Sequence, residues 1–126
     1  MNGLYNEFLE CLKLVGIYDE KFISFLEGKV HRFPKCKGDL GWGVFPKLDD
    51  KGRIIDVRIL VPIIFDEKTL LINIHEYIHA YDWYQRLNEF DDISKDEEFE
   101  KRARDAERLV LERRRNRNNS ETVRKV

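Results

Sequence analysis

The stretch INIHEYIHAYD, residues 72–82, sets His75 and His79 four positions apart, with Glu76 directly after the first histidine. Its meaning depends on whether it is helical, and the apolar residues around it say that it is. Leu70, Leu71, Ile74, Ile78 and Tyr81 recur at intervals of three and four, which is the period of one helix face, and Asp66 stands before them as an N-cap. Residues four apart on a helix lie one turn apart on the same side, so both imidazoles can converge on one ion. Glu76 is rotated by about 100° from His75, close enough to hold a water beside the ion without ligating it. That division of labour is what metal-assisted hydrolysis needs: the ion acidifies a water, and a carboxylate takes its proton and returns it to the leaving group. The plainer reading is a pair of hydrogen-bonded structural histidines on a helix against the core. With three histidines and thirteen glutamates, HExxH arises by chance in roughly one such chain in two hundred.

Outward from this helix the chain reads as one α+β domain. Leu4, Phe8, Cys11, Leu12 and Val15 mark an amphipathic first helix ending at Gly16, and a second short helix runs from near Asp19 to Gly28. Together they form an N-terminal helical region. From Lys29 to Ile64, glycines and prolines separate the β-prone runs KVHRF, WGVFPKL and RIIDVRILV, which predict a small, mostly antiparallel sheet of about three strands. WGVFPKL is a candidate for the rim of a cleft, where a peptide could pair by its backbone, and equally for ordinary sheet with Trp42 and Phe45 in the core. After the HExxH helix comes a polar loop. Ser94 with Glu97 then has the form of a capping box, opening a helix whose inner face is Phe99, Ala103, Ala106 and Val110. Residues 1–112 make the domain, and 113–126 form a C-terminal tail with almost nothing to bury.

Two histidines do not complete a catalytic zinc site, which usually has three protein ligands. The metzincin continuation needs a glycine and a third histidine where this chain has Asp82 and Gln85. Asp82 is too far along a straight helix from His75 to share the ion, so it reads as an outer partner or a surface charge. The third ligand is expected from the next helix, where Glu100 and Glu107 border the apolar stripe. Glu100 is preferred because Ala103, one turn on, lets the helices approach; Glu107 is the fallback.

HEYIHAYD followed after a loop by EKRARDAE resembles the gluzincin pattern, in which HExxH is joined by a glutamate from a second helix. More narrowly, the order of helices and sheet over nearly the whole chain resembles the minigluzincins, small soluble archaeal proteins similar to the catalytic cores of membrane-integrated zinc peptidases. The HExxH portion is specific; Glu100 to Ala103 is a weaker match. The resemblance implies a zinc metallopeptidase that cleaves peptide bonds internally. It would hold one Zn2+ per chain on His75, His79 and Glu100, with Glu76 as general base. It also implies a latent, zymogen-like chain whose C-terminal tail occupies the cleft. The tail itself reads either as an extended segment along a sheet edge or as disordered, with Glu121 or the terminal carboxylate a remote candidate for the ion. The expected partners are a peptide or protein substrate and the chain's own tail; the alternative is a metal-binding scaffold or regulator that cleaves nothing.

Composition narrows the remaining classes. The 126 residues are 42% hydrophobic and 37% charged with a formal net charge of −1, so no overall bias draws the chain to nucleic acid or membrane. RRRNRN at 113–118 is short, lacks aromatic residues and reads as a solvated helix end. Glu7 and Glu10 interrupt any export signal, and the run ILVPIIF is too short for a membrane span. Cys11 and Cys36 lack CxxC spacing and fit free thiols in a reducing cytoplasm, with a single disulfide as the alternative. Cys36 beside His31 matches no metal motif. Tyr77, Tyr81, Tyr84 and His31 are the candidates for stabilising an oxyanion.

Overall fold

The first apolar stripe forms α1, Gly3–Leu14, which buries Phe8, Cys11 and Leu12. The chain then turns at Gly16, whose φ of +84° lies in the left-handed region that glycine adopts without a steric penalty. Helix α2, Glu20–Phe25, is capped by Asp19, whose side chain accepts the backbone N–H of Lys21. The structure is a computed structural model that describes residues 3–34 and 42–124, without the side chains of Ile93 and of 118–124. Cys36, with the thiol considered beside His31, lies outside the described residues, as does the side chain of Glu121.

Three strands follow, β1 Val30–Phe33, β2 Gly43–Leu48 and β3 Ile54–Pro62, at the positions of the three β-prone runs. They form a mixed sheet in the order β1-β3-β2. β2 and β3 pair antiparallel, with Val44 opposite Ile59; β1 pairs with β3 in parallel, with Val30 opposite the same Ile59. The sheet is therefore half parallel, and β2 is left as an edge strand. Val57, Ile59 and Val61 on β3 are fully buried and share one core with Phe8 and Leu12 of α1 and Leu70 and Ile74 of the next helix.

Helix α3, Glu67–Tyr84, opens on a reciprocal cap: Asp66 accepts the N–H of Thr69, and the Thr69 hydroxyl accepts the N–H of Asp66. After the loop, a 3₁₀ turn at Ile93–Lys95 leads into α4, Asp96–Arg124. Ser94 does not make the expected capping box with Glu97. Its N–H and hydroxyl both donate to Asp92, and the helix proper begins two residues later. Phe99, Ala103, Ala106 and Val110 are buried as their spacing predicts.

Helical backbone continues to Arg124, where an extended segment or a disordered tail was expected. Ion pairs supply part of what apolar contacts do not: Arg113 meets Glu10, and Arg114 meets both Glu7 at 2.6 Å and Glu67 at 3.1 Å. These contacts lie along the middle of α1 and at the N-terminal end of α3. Among the described residues, no helix is long and apolar enough to cross a membrane.

The closest approach of α3 and α4 depends on the small side chains of α4. Ala103→Leu should lower stability by about 1–3 kcal/mol through overpacking, read as a lower midpoint of urea unfolding. Lys101→Leu on the exposed face should leave that midpoint unchanged, and equal midpoints for the two variants would mean the helices do not meet at Ala103.

Candidate metal centre

His75 and His79 project from one side of α3, and Glu100 faces them from α4. The Nε2 atoms of the two histidines are 3.1 Å apart. Glu100 places Oε2 3.0 Å from Nε2 of His79 and Oε1 3.3 Å from Nε2 of His75. A small tetrahedral ion with ligand atoms at about 2.0–2.1 Å separates those atoms by roughly 3.3 Å, so the 3.1 Å between the two imidazole nitrogens is close to one edge of such a polyhedron, and the Glu100 carboxylate faces that edge with one oxygen toward each nitrogen. The group His75, His79 and Glu100 can thus hold a metal ion. Glu107 does not join it: its Oε2 lies 3.4 Å from the outer nitrogen of His75, Nδ1.

The local electrostatics favour the same use. Burial pushes the His79 imidazole below its ordinary pKa, helped by the neighbouring His75 and opposed by Glu100. A neutral ring is the form that ligates. Glu76 is buried beside the pair, with Oε1 4.0 Å from Nε2 of His75. Its Oε2 is the sole buried side-chain oxygen or nitrogen without a hydrogen-bond partner among the described residues. Burial raises the Glu76 pKa first, with the His75 charge pulling it down and Glu100 and Glu107 pushing it up. A buried carboxylate oxygen left unpaired is costly unless something approaches it.

No protein-family model, curated protein or solved structure matches this chain. The metal-binding reading accordingly stands on the donor set and its geometry.

Beside the centre lies a cavity of about 260 Å³ lined by Val44, His79, Trp83, Asp96, Phe99 and Glu100. Val44 belongs to β2, an edge strand among the described residues, so the cavity joins that sheet edge to the histidine-bearing face of α3. Phe45 is half exposed, against its alternative place in the core. Trp83 sits one turn after His79 and meets Phe99 edge-on at 5.6 Å; its spacing from His79 was a usable signal that sequence reasoning passed over. The proposed oxyanion candidates are elsewhere. Tyr77 is turned about 200° from His75 on the helix, packs on Phe8 and accepts from Arg32. Tyr81 and Tyr84 pack on Phe22. His31 is exposed on β1, across the sheet from β2.

Asp82 is neither a ligand nor a surface charge. It is 4% exposed and takes two contacts from Arg102, Nε at 3.1 Å and a terminal nitrogen at 3.0 Å, which clamp α3 to α4 beside the centre. Residues 20 apart in sequence give no local sign of such a pair. Burial lifts the Asp82 carboxyl above its usual range, and Arg102 draws it back only in part. A carboxyl whose folded pKa exceeds its unfolded value leaves the folded state holding more protons, so stability falls as pH rises above about 4. Arg102→Met removes the compensating cation. It should cost about 1–3 kcal/mol at pH 8, and the deficit relative to wild type should shrink as pH is lowered to 5 in parallel urea titrations. A deficit independent of pH would show that Asp82 is not what Arg102 serves.

Proposed function

We propose that the chain is a zinc-dependent metallopeptidase, with His75, His79 and Glu100 as zinc ligands and Glu76 as general base. The observation that carries the reading is the convergence of three ligand atoms with a buried, unpartnered Glu76 oxygen next to them. Two imidazoles and one carboxylate with an open position are the donor set of hydrolytic zinc sites. A zinc ion held there would polarise a peptide carbonyl and lower the pKa of a water. Glu76 receives the proton of the attacking water at its carboxylate and passes it to the departing amide nitrogen, which needs no residue from outside α3. The edge of β2, unpaired among the described residues, offers backbone N–H and C=O groups to an extended substrate, and Val44 brings that edge to the cavity beside His79. A peptide or protein is therefore the proposed substrate, as in the minigluzincin-like reading.

Latency by the tail enters the proposal with a condition. The chain after Glu107 is helix as far as Arg124, and Arg113 and Arg114 bind it to Glu10, Glu7 and Glu67. For residues 113–124 to fill the cleft they would have to leave that helix.

Purified full-length protein, loaded with zinc and desalted, should retain one zinc per chain, and Glu100→Ala should retain far less. Glu76→Gln should keep the metal but hydrolyse a fluorogenic peptide library about 10²–10⁴-fold more slowly than wild type. Zinc retained with no cleavage in wild type, before or after proteolytic removal of the tail, would leave a metal-binding scaffold. No zinc in wild type would make the histidines structural.

A further inference from the structure

We propose that Glu107 is a positioning residue of the metal centre: its carboxylate accepts the Nδ1–H of His75 and so fixes that ring in the tautomer whose Nε2 is bare toward His79 and Glu100. The proposal rests on the metal reading above and adds to it, because neither the HExxH spacing nor its glutamate partner calls for a second carboxylate.

The His75 imidazole is flanked by a carboxylate at each nitrogen. Glu107 Oε2 lies 3.4 Å from Nδ1, and Glu100 Oε1 lies 3.3 Å from Nε2. A neutral imidazole carries a single N–H, so the two carboxylates compete for it. If the proton sits on Nε2, facing Glu100, that nitrogen has no lone pair for an ion. If it sits on Nδ1, facing Glu107, Nε2 is free. Glu100 is also engaged at 3.0 Å by Nε2 of His79, whereas Glu107 makes no other ion pair among the described residues. The balance thus favours Glu107 as the acceptor. A carboxylate on the outer nitrogen also makes the ligating nitrogen more basic and holds the ring plane, the usual function of such partners around metal-bound histidines.

The fold accounts for the placement. Glu107 is two turns beyond Glu100, hence on the same face of α4, with the fully buried Ala103 between them. α4 runs against α3, so passing from Glu100 to Glu107 moves from His79 to the far side of His75. His79 has no comparable outer carboxylate among the described residues, since Asp82 is bonded to Arg102. His75 is the ring that the second helix orients from behind.

The test uses the full chain, first without metal. In ¹⁵N-labelled protein, long-range proton–nitrogen correlation of the imidazoles should show His75 as the Nδ1–H tautomer. Glu107→Ala should move it toward the Nε2–H form. Glu107→Gln, whose amide oxygen still accepts, should restore Nδ1–H, which a merely structural role would not do. Zn2+ titrated against a chromophoric chelator should bind about 10–100-fold more weakly to Glu107→Ala than to wild type. Co2+ should give the same tetrahedral visible spectrum in both, because no ligand has been lost. The proposal is overturned if Glu107→Ala keeps the wild-type tautomer and affinity, or if its Co2+ spectrum collapses as that of Glu100→Ala should, which would make Glu107 a ligand. A wild type that binds neither ion overturns the metal centre and this role together; a wild type that binds, beside a variant that binds equally well, overturns the role of Glu107 alone.

Discussion

The antiparallel contact of α3 and α4 is the constraint on which the rest of the molecule depends. α3 alone presents two imidazoles, too few for a catalytic ion. Ala103 and Ala106 let α4 come near enough for Glu100 to reach both, and the same approach sets Glu107 behind His75. Charge pairs fasten the contact at its two ends: Asp82 with Arg102 beside His79, and Glu67 with Arg114 where α3 begins. Exposed pairs contribute little to stability. The buried end at Asp82 differs, since its carboxylate has left water and would be unpaired without Arg102.

The same contact concentrates negative charge. Glu76, Glu100 and Glu107 stand around two imidazoles, one of which burial keeps neutral. Three carboxylates this near one another repel, and Glu76 additionally pays for burial without a partner at Oε2. A divalent cation between His75, His79 and Glu100 would relieve both terms. The arrangement is therefore strained as a purely structural cluster and reasonable as a ligand set, which is the physical ground for preferring the functional reading over hydrogen-bonded core histidines.

The sheet serves the site through its order. With β3 in the centre, its buried face supports α3, and β2 is left at an edge with Val44 in the cavity beside His79. An edge strand is usually protected against pairing with another chain. Here Pro46 lies within β2, and among the described residues no strand pairs with the part of the edge nearest the centre, at Val44.

By itself the sequence determined the elements and the specific half of the site. The stripes of α1 and α3, the start of α2 near Asp19, the cap at Asp66, the three β-prone runs and the inner face of α4 are local patterns set by helix and strand periods. His75, Glu76 and His79 were legible for the same reason, because one helix carries all three. Glu100 was legible only as a preference over Glu107, since a helix period places both on one face and cannot say which meets Nε2. Tertiary structure decided that, along with the parallel pairing of β1, the Asp82–Arg102 clamp and the displacement of Tyr77, Tyr81 and Tyr84 to the far side of α3. It also decided the course of α4 past Leu111, where partners on α1 and α3, distant in sequence, hold a helix end that has little apolar surface of its own. Each of these depends on which residues meet across elements, and no local period encodes that meeting.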